Sequence, residues 1–270
     1  MSRDLSPPEA FWGNPRRLFN TLLWVVLFLN VMHAFRFVYF TYTSHPVGYR
    51  LVDKFNMDGE MAVPAWFSTL LIAAAAVACV GVASRVRRAG GKGAYSWWLL
   101  AAGLFFVSLD ENVSLHETLN GEVGQVVERD GIFYFGWVLI YGPLAMGLAA
   151  LVLPGLWRAP RRVFWTLVAA AVVYCGGAVG VEMMSGLLLS SSADVDMTAW
   201  SYFFCVLLEE NGEILGMMLM LRGLALYLTA EPESFPVSEN VAPPADAQAP
   251  ARRAQPAEAD ADPPMEGAWA

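Results

Sequence analysis

The sequence has 270 residues, of which 56% are hydrophobic and only 16% charged, with a mean hydropathy of +0.44; soluble domains carry roughly a quarter charged residues. This composition excludes an ordinary soluble domain, and unbroken apolar runs in place of short alternating ones exclude an outer-membrane barrel. Of the net charge of −8, the last 40 residues hold −6, so the remainder is too nearly neutral to follow a nucleic acid.

In chain order, residues 1–17 form a polar arm with Pro7, Pro8, Pro15, Arg16 and Arg17. Six apolar stretches follow, each meeting the ~20 residues a membrane crossing needs. They are Leu18 to Phe40, Ala62 to Ser84, Ser96 to His116, Phe133 to Trp157, Val163 to Leu189 and Trp200 to Leu228. The first is too long for the apolar core of a cleaved signal and lacks a small-x-small cleavage site, so it reads as an uncleaved anchor.

Basic residues cluster after the second and fourth stretches (Arg85, Arg87, Arg88, Lys92; Arg158, Arg161, Arg162), while acids dominate after the first, third and fifth. Because Lys and Arg favour the cytoplasmic side, the expected fold is all-α: a polytopic membrane bundle of six transmembrane helices over residues 18–229, with both termini cytoplasmic. The plasma (inner) membrane is the expected location. Residues 230–270 are Pro, Ala and acid with almost no large apolar side chain, which predicts a disordered cytoplasmic tail with room for a protein partner. Cys79, Cys175 and Cys205 lie in apolar runs without Cys-x-x-Cys spacing and read as packing residues.

Ionisable groups inside a span cost ~2.5 to 3.5 kcal/mol each and are functional candidates. The third stretch carries Asp110 and Glu111 in SLDENVSLHE, with His116 and Glu117 at its outer end. The fifth has Glu182, the sixth Glu209, Glu210 and Glu213, and the first Asn30, His33 and Arg36. Counting 1.5 Å per residue from each span centre puts most of them roughly 6 to 10 Å outward of the midplane, which suggests one site. At 100° per residue Glu209, Glu210 and Glu213 share one face of the last helix. Cys175, Ala178, Glu182 and Gly186 form a stripe of small residues that invites close approach. The second and fourth stretches hold no ionisable residue and are expected to face lipid as buttresses.

So many carboxylates against Arg36 and His33 need neutralising. Carboxylates with an imidazole suit a divalent iron, manganese or zinc ion, with Asp110, His116, Glu117, Glu182, Glu209, Glu213 and His33 as candidate ligands. Glu111 and Glu210 are the candidate acid and base, and Arg36 a candidate holder of an anionic substrate group. Glu111 and His116 are five apart, a poor chelating interval on a regular helix. A haem is not expected, because His33 and His116 differ in height by roughly 9 Å.

Several spans combined with His, Asp and Ser side chains are similar to the ceramidase-like intramembrane zinc hydrolases. The chain departs from them in having six spans and no His-x-x-x-His pair in the last one. The likeness implies a chemistry, water activated by metal with an unligated carboxylate as base, and assigns no residue. The expected function is thus a metal-dependent membrane enzyme acting on a lipid or apolar substrate from the outer face. The alternatives are a proton- or cation-coupled transporter and a non-catalytic assembly or sensory subunit.

Overall fold

A computed structural model describes residues 14–43, 47–128, 130–191 and 200–230, and among them every regular element is helical. The described residues belong to one unit of the chain, Met1–Pro236. Most of the N-terminal arm and residues 231–270, where the tail is expected, lie outside the described residues.

Helix α1 (Pro15–Tyr42) starts where Asn14 Oδ1 accepts the backbone N–H groups of Arg16 and Arg17 at 3.1 Å each, with Pro15 at the first helical position; both devices satisfy a helix start. A short helix, α2 (Tyr49–Val52), and a 3₁₀ turn at Asp53–Phe55 lead to α3 (Val63–Arg88). Then come α4 (Ala94–Val113), α5 (Leu115–Val123), α6 (Val138–Leu156) and α7 (Arg161–Cys175). A π-helical turn at Gly176–Val181 joins α7 to α8 (Glu182–Ser191), and α9 (Trp200–Thr229) follows.

Four stretches are long and apolar enough to cross a membrane: Pro15–Tyr42, Val63–Arg88, Val138–Leu156 and Arg161–Leu187. A fifth is added if α4 and α5, bent by 76° at Ser114, count as one span. Helix α9 is 30 residues long, but Glu209, Glu210, Glu213 and Arg222 dilute its apolar content. Four or five of the six expected spans are therefore present as membrane-length apolar helices.

The expectation that the second stretch faces lipid is overturned. Helix α3 is the most buried of the four apolar stretches, packed between α4 and α9, with Ile72, Ala75, Ala76, Cys79, Val82 and Ala83 wholly covered. Its small side chains let two helices approach from either side, so freedom from charge here marks a packing centre rather than a lipid-facing buttress. Helix α6 does behave as a peripheral span, packed mainly on α4. Arg85 of α3 reaches the C-terminal carbonyls of α9, donating to those of Tyr227 at 3.1 Å and Leu228 at 2.7 Å, where a cation complements the helix dipole. Deeper in the bundle, Asn30 and Asn211 exchange two amide hydrogen bonds of 2.8 Å and tie α1 to α9.

Candidate functional site

The third stretch is not one regular helix. Ser114 adopts a left-handed conformation (φ 55°, ψ 48°) and its N–H closes α4 on the carbonyl of Asp110 at 2.7 Å. That conformation costs a non-glycine residue about 1–2 kcal/mol, and it brings the chain back so that α5 starts over the Asp110 side chain. Asp110 Oδ1 accepts the His116 backbone N–H at 3.0 Å and the Tyr141 hydroxyl at 2.9 Å, while Oδ2 lies 2.8 Å from His116 Nδ1. Asp110 thus caps α5 and clamps the imidazole at once.

With Nδ1 held, His116 Nε2 is turned toward Glu117, 3.9 Å from its Oε1. Glu60, from the loop before α3, completes a trio whose ligand atoms all lie within 4.8 Å of one another. An ion about 2 Å from each ligand atom spans pairs up to about 4 Å apart, so rotation of the two exposed carboxylates by less than ~1 Å would close the trio on a metal. A carboxylate behind the imidazole is the usual support of a metal-bound histidine.

Below the trio lies a cavity of about 500 Å³, within the size range of small-molecule sites. It collects Asp110, Glu111, His116 and Glu117 from α4 and α5, Glu182 from α8, and Glu209, Glu210 and Glu213 from α9. The sequence singled out all eight. Glu182 is buried, and its Oε1 accepts the Trp137 indole N–H at 2.9 Å. Trp137 also sets its ring edge-on to His116, with centroids 5.7 Å apart.

The π turn at Gly176–Val181 is what delivers Glu182. It adds a residue to the helical turn, and such bulges commonly re-aim a side chain at a functional site. Close packing of this segment on α9 is made by Gly177, whose hypothetical Cβ would stand 2.6 Å from the Glu209 carbonyl oxygen, and by Gly216, whose Cβ would meet the Tyr174 backbone at 2.6 Å. These glycines do the work expected of the Cys175, Ala178 and Gly186 stripe.

His33 and Arg36 do not line the cavity. The Arg36 guanidinium pairs with Asp53 at 2.7 Å and lies over Phe40. His33 is buried, stacks on Phe203, and its Nδ1 accepts the Met57 N–H at 3.0 Å. Both therefore fasten the loop between α1 and α3 to the bundle. Met57 is buried beneath that loop, and the Tyr202 hydroxyl donates to Asp58 Oδ2 at 2.7 Å. Asp58 keeps an exposed edge, yet the surrounding protein strips enough water to raise its pKa above the ordinary value, opposed by the Tyr202 hydrogen bond and the Arg36 charge.

Sequence reasoning missed Glu60 and Asp58, which it used only to orient the loop. The signal was present: Asp58-Gly59-Glu60 sits immediately before a span, at the level of His116 and Glu117. It also missed Trp137 and Tyr141, aromatic groups one helical turn apart near the start of the fourth stretch.

These features define an all-helical protein with membrane-length apolar helices around a carboxylate-rich cavity, capped by a carboxylate and imidazole group able to hold a metal ion. The chain belongs to the family described as Domain of unknown function (DUF8692), whose model matches residues 21–228. No curated protein and no solved structure matches it.

Proposed function

We propose that this is a six-span integral membrane enzyme of the plasma or inner membrane, with both termini cytoplasmic, that uses a metal ion to act on a lipid or apolar substrate taken from the outer side. The single observation that supports this best is the Asp110 clamp on His116, which aims Nε2 at Glu60 and Glu117 at the mouth of the cavity. A bound iron, manganese or zinc ion would supply Lewis acidity there. His116, Glu60 and Glu117 hold the ion, and Asp110 fixes the imidazole's position and proton. Glu182 is held in place by Trp137. Glu111 and Glu210, on facing helices, hold and exchange protons as general acid and base. Arg36, committed to Asp53, takes no part in this reading.

An enzyme is favoured over a transporter because the cavity's described lining ends near Gly103 and Leu148, toward the middle of α4 and α6, whereas transport needs a polar path to the other side. The test is elemental analysis of detergent-purified protein beside His116→Ala and a Glu60→Gln, Glu117→Gln double variant. Stoichiometric metal lost in both variants is the expected result. Metal-free wild-type protein whose stability ignores chelator and added metal would overturn the reading.

A further inference from the structure

The cavity opens sideways. Leu144 of α6 and Cys175 at the end of α7 both line it, and both remain exposed although they stand on two helices of the bundle's wall. Helix α6 packs along α4, and α7 packs along α9. These two pairs close on each other at the cytoplasmic end, where the Trp157 and Phe164 rings meet with centroids 4.9 Å apart. Toward the outer end they part, and the gap is the cavity.

Its walls differ. On the α4 and α6 side, beyond Asp110, Glu111 and Tyr141, the residues Gly103, Phe106, Leu144, Ala145 and Leu148 present an apolar surface; Tyr141 to Leu148 covers about 10 Å along the helix axis. On the α9 side stand Glu209, Glu210 and Glu213. Among the described lining residues there is no Lys or Arg, and His116 is the one basic group against nine carboxylates, which include Asp58 and Glu60.

A membrane-facing slot with one apolar wall and an acidic wall selects its occupant on both counts. The apolar length takes a hydrocarbon chain directly from the bilayer, where chains are the surrounding solvent. The acidic wall rejects phosphate and carboxylate heads, since like charges brought together repel, and attracts an ammonium. We infer that the cavity binds a single-chain amphiphile with a cationic amino head, admitted from the outer leaflet between α6 and α7, with its chain along Leu144 and Leu148. This rests on the membrane-enzyme reading and names the substrate class of its site.

The experiment uses the full chain in nanodiscs with two nitroxide-labelled probes, stearylamine and stearate, and reads the immobilised component of the spin spectrum. Stearylamine is expected to show that component, with stearate at least about tenfold weaker. Ala145→Trp, which fills the apolar wall, should abolish it. Ala178→Phe, on the opposite side of the slot, should do the same and guards against a folding defect in the first variant. Ala78→Trp fills a separate apolar groove beside Leu18, Val77 and Leu221 and should change nothing. His116→Ala should release the metal and leave the amine bound, whereas wild-type protein that binds the amine but holds no metal would refute the metal reading alone. Equal or tighter binding of stearate, or an immobilised amine that survives both cavity-filling variants, would overturn the inference.

Discussion

Gly177→Ala tests how the glutamates of α9 are placed. A Cβ at Gly177 would stand 2.6 Å from the Glu209 carbonyl oxygen, 2.9 Å from the Glu213 nitrogen and 3.0 Å from the Gly212 Cα. All three are backbone atoms, so none can rotate away. Reaching ordinary contact near 3.5 Å requires α9 and the π turn to separate by about 0.5–1 Å, and overpacking of this kind costs about 1–3 kcal/mol. Replacing glycine by alanine returns about 0.5–1 kcal/mol of backbone entropy. Gly180→Ala, in the same turn with nothing within 4 Å of its Cβ, isolates that return. The two variants should therefore differ by about 1–3 kcal/mol, with Gly180→Ala the more stable. At about 2–4 °C per kcal/mol for a domain of this size, their Tm values in detergent should be roughly 2–12 °C apart. Equal Tm values would refute the close backbone contact and with it this account of the site's construction.

Two further predictions concern buried polar pairs. Asn30→Ala and Asn211→Ala should couple, because each amide both donates to and accepts from the other at 2.8 Å; a double-mutant cycle should give about 0.6–1.7 kcal/mol, and additive effects would show that the pair is not formed in the membrane. Asp110→Asn keeps the side chain's shape but removes the charge behind His116 Nδ1, so metal affinity should fall about 10–100-fold. Titration showing unchanged affinity would mean that Asp110 does not orient the ligand.

The sequence reading succeeded where helical periodicity carries over long distances. Glu209, Glu210 and Glu213 share a face because α9 is a regular helix, and Glu182 and Asp110 reach the same cavity because their depth could be counted from span centres. It failed where regularity breaks. The Glu111 to His116 interval looked unsuitable for chelation on a straight helix, and nothing in SLDENVSLHE announces that Ser114 turns left-handed. The π turn was equally hidden, since Gly-Gly-Ala-Val-Gly-Val is as compatible with an α-helix. Absence of charge proved ambiguous for a physical reason: α3 and α6 both lack ionisable residues in their apolar stretches, but alanine-rich α3 packs at the centre while α6 stays at the edge. The opposite error befell Arg36 and His33. Their counted depth matched the carboxylates, yet helix α1 turns them toward the loop that precedes α3, where Asp53 and the Met57 N–H meet them.

The two parts of the site face different electrostatic demands, and the fold meets them at different depths. Ligands for an ion must be charged or lone-pair donors, and keeping them hydrated until the ion arrives is cheapest where water reaches them. Glu60 and Glu117 are accordingly exposed, one on a loop and the other beyond the bend. The acids on α9 lie lower, where an isolated charge is expensive, so a proton, an ion or an amine is needed beside them. Straightening α4 and α5 into one span would carry His116 and Glu117 away from Glu60 and remove the capping bond from Asp110. The bend at Ser114, at about 1–2 kcal/mol, is therefore small against the carboxylate clamp and the ligand trio that it assembles.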